Sequence, residues 1–138
     1  MIQVLFIDDD ANLARVVCQL CERYGGVSMH PVSSGREALE WLSCHPASVI
    51  VTDYQMPGMN GIEFIKKLRA QGNLAPCIMF TGIKIDSVIQ ESARQGVGIF
   101  GYIMKDDPIQ SQVPALMDLI AQAAVHDPGG NLSSSCSV

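Results

Sequence analysis

Apolar and polar positions alternate between two kinds of stretch along this chain. The first kind is short and continuous: Ile2–Ile7, Val27–Val32, Val49-Ile50-Val51-Thr52, Cys77-Ile78-Met79-Phe80 and Ile99–Met104. Runs of this length, bounded by turn residues, predict strands buried on both faces. The second kind has helical spacing. Leu13, Val16, Val17, Leu20 and Tyr24 form the first such set, with Asp10 as N-cap and Gly25-Gly26 as the stop. Ala38, Leu39, Trp41 and Leu42 follow a Ser34-Gly35-Arg36-Glu37 capping box and stop before Pro46. Ile62, Ile65 and Leu68 come third, behind Asn60 and Glu63. A fourth helix is expected over about residues 86–95, ended by Gly96. Val113, Leu116, Met117, Ile120 and Ala124 mark a fifth. Pro31 suggests that the second strand lies at an edge.

Strand and helix thus alternate five times. Each parallel crossover needs a connecting element, so the pattern predicts an α/β fold: a doubly wound (βα)5 unit with a five-stranded parallel sheet. The domain is expected over residues 1–125. Residues 126–138, with Asp127-Pro128-Gly129-Gly130 and then a serine-rich run, read as a flexible tail or the start of a linker.

Composition narrows the function classes. The chain has 138 residues, 48% of them hydrophobic and 17% charged, enough for one core and against disorder. Its net charge of −5 argues against direct nucleic-acid binding, which needs a basic stripe, and is compatible with binding cations. No apolar run approaches the ~18–20 residues of a membrane span, and the N-terminal strand runs into acids without a basic leader. Five cysteines, odd in number and irregularly spaced, argue against a disulfide framework and for a reducing, cytoplasmic setting. Cys18 and Cys21 form C-x-x-C without a second pair, and read as small residues on a helix face. His30, His45 and His126 read as surface residues.

Ligands of open α/β sheets bind beyond the carboxyl ends of the strands. Strand one ends in Asp8 and Asp9, strand three in Asp53, strand four in Thr81, strand five in Lys105. Two carboxylates ~4 Å apart repel by about 4 kcal/mol at an effective dielectric of 20, so three need a cation. Hard oxygen donors suit Mg²⁺. A carboxylate there can attack phosphorus, while a metal, an ammonium and a hydroxyl share the charge on the transferred group. Asp10 reads as a helix cap rather than a ligand, and Asp106 and Asp107 as a solvated turn. Met56, Met59 and Met79 read as packing residues.

These residues carry a resemblance. Asp8-Asp9, the segment Val51-Thr52-Asp53-Tyr54-Gln55-Met56-Pro57-Gly58-Met59-Asn60-Gly61, Thr81-Gly82, and Lys105 after Gly101-Tyr102-Ile103-Met104 resemble the receiver domain of two-component response regulators, of chemotaxis type, over about residues 2–124. The resemblance implies a flavodoxin-like strand order 2-1-3-4-5. It implies that Asp53 accepts a phosphoryl group from a histidine kinase or histidine phosphotransfer protein and so controls an output partner or downstream domain. It further implies direct Mg²⁺ ligation by Asp9, support from Asp8 through water, and a ligand from the Gln55 backbone carbonyl. Lys105 would pair with Asp53 or its phosphate, Thr81 would bond the phosphate, and Tyr102 would turn inward as Thr81 moves. Such a domain is a signalling unit that catalyses only its own phosphorylation and dephosphorylation. One position departs. The family usually has proline after the strand-five lysine, often behind a cis peptide; here Asp106 stands there and Pro108 comes two later. A cis bond before a non-proline costs ~2.5–4 kcal/mol, so a trans bond and a shifted entry to the fifth helix are expected. Two rivals stand beside this reading. Asp8-Asp9-Asp10 contains the D-x-D of haloacid-dehalogenase-type phosphatases, with Asp8 as nucleophile and Asp10 as general acid. A degenerate receiver would act only as a binding module.

Overall fold

A computed structural model describes residues 1–106 and 108–125; Asp107, His126, Cys136 and the expected tail or linker at 126–138 lie outside the described residues. Five strands and five helices alternate: β1 (Ile2–Ile7), α1 (Ala11–Tyr24), β2 (Val27–Val32), α2 (Gly35–Leu42), β3 (Val49–Thr52), α3 (Gly61–Ala70), β4 (Cys77–Thr81), α4 (Ile85–Arg94), β5 (Gly101–Met104) and α5 (Val113–Val125). All pairings are parallel, in the order β2-β1-β3-β4-β5. The predicted doubly wound sheet is therefore the observed one. β2, with Pro31, lies at an edge as expected.

Residue parity along the strands explains the continuous apolar runs. Val4 and Phe6 of β1, Val49 and Val51 of β3, and Ile78 and Phe80 of β4 enter one core with α1 and α5. Leu5, Ile7, Ile50, Cys77 and Met79 enter the other, with α2 and α3. Both faces of the sheet are dry, so neither parity can be polar.

Local chemistry sets the helix ends. Asp10 accepts from the Leu13 amide and caps α1, and Gly25 ends it at φ +104°, where side chains other than glycine's are strained. Asn60 and Glu63 form a full capping box on α3. At α2 the box is offset: Ser34 accepts from Glu37, but Glu37 reaches the Ser33 amide instead of that of Ser34.

Three expectations need adjustment. The buried stripe of α1 is Ala14, Val17, Cys18 and Cys21, while Val16 and Tyr24 are exposed. Val17 is buried as expected, and Leu13 and Leu20 pack against the same core. Strand five begins at Gly101 rather than Ile99, and in α5 it is Ala123 that is fully buried, with Ala124 only partly so. The entry to α5 is a 3-10 turn, Ile109–Gln112, behind Pro108. His30 and His45 are exposed and stack on opposite faces of Trp41, each with ring centroids 4.5 Å away. They fasten the end of α2 to the edge strand. Met56 and Met79 are buried, as packing residues should be, and Met59 is half-buried.

Candidate phosphoacceptor site

The carboxyl ends of β1, β3, β4 and β5 open into one cleft of about 880 Å³, lined by Asp8, Asp9, Asp10, Asp53, Gln55, Thr81 and Lys105 among others. Every polar residue read from the strand ends therefore reaches the same place. The cleft lies where the strand order turns, between β1 and β3.

Asp8 is buried, Asp9 exposed and Asp53 buried, and one ligand oxygen from each lies within 4.8 Å of the others. Lys105 is the counter-charge. Its Nζ lies 2.6 Å from Asp8 Oδ2 and 3.1 Å from Asp53 Oδ2. Burial pushes the Asp8 carboxyl above its usual range, and its bonds from Lys105 and the Asp10 amide offset only part of that. Burial pulls in the opposite direction at Lys105, but Asp8 and Asp53 outweigh it and hold the ammonium above its usual value. One ammonium facing three carboxylates leaves an excess of negative charge. Hard oxygen donors at this spacing, with an exposed Asp9 open to solvent, fit a hydrated divalent cation such as Mg²⁺.

The backbone holds Asp53 in place. Its Oδ1 accepts from the Tyr54 amide at 2.7 Å and its Oδ2 faces Lys105. Its amide donates to Ile7, and its carbonyl accepts from the Thr52 hydroxyl at 2.9 Å. The first turn of α3 then presses against it: the Gly61 amide donates to Tyr54 at 2.8 Å, and a Cβ on Gly61 would stand 2.5 Å from the Asp53 carbonyl oxygen. The sequence reading held Gly61 within the segment from Val51 to Gly61 that carries the resemblance, but gave it no role of its own.

Thr81 is fully buried, and its hydroxyl oxygen accepts from the Ile83 amide at 3.2 Å. Tyr102 is not in the cleft. It lies opposite Met79 on β4, half-buried against the α2–α3 core, with its hydroxyl 3.2 Å from Ser92 on α4. Asp106 is exposed and outside the cleft lining. Asp10 is committed to capping α1, which deprives the D-x-D phosphatase reading of its general acid. Cys18 and Cys21 are buried, with thiols pushed up to about 12 and about 11 by burial. Such thiols are poor nucleophiles and poor ligands.

The chain is similar to known proteins. Chemotaxis protein CheY-3 of Vibrio cholerae is 34% identical over 105 residues, covering 75% of this chain and 79% of that protein. Chemotaxis protein CheY of Pseudomonas aeruginosa is 33% identical over 114 residues, covering 80% and 88%. The solved structure of the chemotaxis response regulator CheY4 of Vibrio cholerae superimposes with a TM-score of 0.73 at 28% identity, over 86% of this chain and 98% of that one. The family model described as the response regulator receiver domain matches residues 4–115. With that match over most of its length, the chain belongs to the response regulator receiver domain family.

Proposed function

We propose that this receiver takes a phosphoryl group on Asp53 from a histidine kinase or histidine phosphotransfer protein, and that the change controls an output partner or downstream domain. The observation that carries this is the hold on Asp53. One oxygen is fixed by a backbone amide, the other by Lys105, and the carboxylate faces an open cleft beside two further carboxylates.

In the step itself an Asp53 carboxylate oxygen attacks phosphorus. The new O–P bond forms as the donor's P–N bond breaks, and the imidazole leaves and regains a proton. Asp9 would hold Mg²⁺ directly, with Asp8 through water and the Gln55 carbonyl beside it. The ion would supply positive charge to the transferring group's oxygens. Lys105 moves from pairing with the carboxylate to pairing with the phosphoryl group. Thr81 gives up its present geometry to donate to a phosphoryl oxygen, since a charged acceptor makes the stronger bond. Tyr102, on the neighbouring strand opposite Met79, carries the change to the face built by α4, β5 and α5. The domain thus catalyses only its own phosphorylation and dephosphorylation. We read residues 1–125 as this unit, 126–138 as a tail or linker, and the setting as cytoplasmic, in keeping with the free thiols of Cys18, Cys21 and Cys77. No helix among the described residues is long and apolar enough to cross a membrane.

Intact-mass analysis after incubation with acetyl phosphate and Mg²⁺ tests the assignment. The wild-type chain gains one phosphoryl group and Asp53→Asn gains none; equal labelling of the two refutes it.

A further inference from the structure

α4 turns an apolar stripe inward, and one polar residue interrupts it. Ser92 is buried, only 4% exposed, on the same helix as buried Val88. Its Oγ lies 2.8 Å from the Ile89 carbonyl and 3.2 Å from the Tyr102 hydroxyl. The direction of these bonds follows from counting protons. A hydroxyl has one hydrogen, and a carbonyl can only accept. The Ser92 hydrogen is therefore used on Ile89, and the oxygen is left to accept. Tyr102 must donate. A bare helix serine would satisfy itself locally on the carbonyl of the preceding turn. Here the same atom offers its remaining lone pair across to β5.

The placement matters because of what Tyr102 adjoins. It lies opposite Met79, two residues before Thr81 on β4, and its ring packs against the core that contains Met79 and Val88. In the observed arrangement, with Thr81 still bonded to the Ile83 amide, the Tyr102 hydroxyl has a buried partner. When the ring leaves it, Ser92 keeps its Ile89 bond but loses its second. The interaction is thus worth one ordinary hydrogen bond, about a fivefold population ratio. A contact of that size sets a bias and does not lock the ring.

We propose that Ser92 is a positioning residue of the switch: by accepting the Tyr102 hydroxyl it holds the aromatic ring against α4 in the arrangement seen with Thr81 unmoved, and so sets how readily the ring leaves it when Thr81 moves. This rests on the reading of Tyr102 as a switch residue. A ligand shifts such an equilibrium only by its differential affinity for the two states. Phosphoryl transfer moves Thr81 and favours the switched state, so removing the latch must raise the population of that state, where it is the minor one, by the factor that the bond was worth.

Two readouts separate the latch from the switch. The first is NMR of ¹³C-labelled tyrosine rings in the full chain, comparing wild type, Ser92→Ala and Ser92→Thr. Tyr24, which is exposed, serves as the internal reference for a solvated ring. In Ser92→Ala the Tyr102 signals should move away from their wild-type position, with the ratio of the latched arrangement to the others falling about fivefold. Ser92→Thr, which keeps the hydroxyl, should restore them. Unchanged Tyr102 signals in Ser92→Ala overturn the proposal. So does additivity of Ser92→Ala and Tyr102→Phe in urea unfolding, because the two substitutions remove the same bond. The second readout is the affinity for beryllofluoride with Mg²⁺, which should rise in Ser92→Ala by up to about fivefold. A ring that moves while this affinity stays constant keeps the latch and refutes Tyr102 as a switch residue.

Discussion

Replacing Gly61 by alanine adds one methyl group at the point where α3 meets the acceptor. That carbon would lie 2.5 Å from the Asp53 carbonyl oxygen, 3.0 Å from Met79 Sδ and 3.2 Å from Met79 Cε. A tolerable C···O approach is about 3.3 Å, so the backbone must give by roughly 0.8 Å. Nothing there gives easily. Met79 is fully buried, and the Asp53 carbonyl is held by the Thr52 hydroxyl. Overpacking of this kind costs about 1–3 kcal/mol. The displaced group is the acceptor's own peptide, and its bond to Lys105 is already 3.1 Å long. A further shift of that size removes it. Misplacement by ~1 Å can cost about a hundredfold in rate, so phosphorylation by acetyl phosphate should slow by roughly ten- to a hundredfold. Gly35→Ala is the control. Its Cβ would meet Met59 Sδ at 2.9 Å, the end of a flexible, half-buried side chain that can turn away. It should cost under about 1 kcal/mol and leave the rate alone. Urea unfolding reports the stability change, and initial labelling rates by intact mass report the chemistry. A Gly61→Ala protein that labels within twofold of wild type would refute the reasoning.

Three further outcomes follow from the same geometry. Mg²⁺ should raise the melting temperature, by about 2.7 kcal/mol of linkage at a hundredfold excess over its dissociation constant, and Asp9→Ala should lose most of that shift in a thermal scan. Lys105→Met strands Asp8 and Asp53 without their ammonium; urea unfolding without Mg²⁺ should show a loss of about 3–5 kcal/mol, and a loss under 1 kcal/mol would contradict the pairing. The buried thiols predict an alkaline weakness. Burial pushes Cys18 up to about 12 and Cys21 and Cys77 up to about 11, from 9.0. Their contribution is whole below pH 9, where folded and unfolded thiols are all protonated. It falls by about 1.4 kcal/mol per pH unit per thiol as pH rises towards the folded values. Stability measured from pH 9 to 10.5 should therefore decline less steeply in Cys21→Ala than in wild type.

Much of this was readable from residues alone, and the failures have physical causes. The strands of a parallel sheet bury both faces, so Ile2–Ile7 and Val27–Val32 announce themselves as unbroken runs with turn residues at each end. The site was legible because topology brings strand ends together whatever their spacing in the chain. The buried face of α1 was legible only in part: Val17 is buried and Leu13 and Leu20 pack against the core, but Val16 and Tyr24 are exposed, and the small apolar surfaces of Ala14, Cys18 and Cys21, which are buried, give a weak periodic signal. Ile99 and Phe100 extended the apparent fifth strand because an apolar residue entering a strand looks like one within it. The roles of Gly61 and Ser92 lay beyond pattern reading. One matters through a missing atom and the other through a single lone pair, and neither leaves a periodic trace.

The Lys105–Asp8 bond joins residues 97 positions apart, and Lys105–Asp53 spans 52. During synthesis the carboxylates of β1 and β3 exist long before the ammonium that offsets part of their charge. A chain that ends short of β5 carries that charge without Lys105. The final strand is therefore the step that lowers the charge of the site as well as the one that completes the sheet. Loop closure over such separations is slow, so the acidic cluster imposes its largest penalty on the late intermediates. Divalent cations present during refolding should stand in for the absent ammonium and hasten that last step, giving Mg²⁺ a chaperone-like effect on a domain it is otherwise expected only to activate.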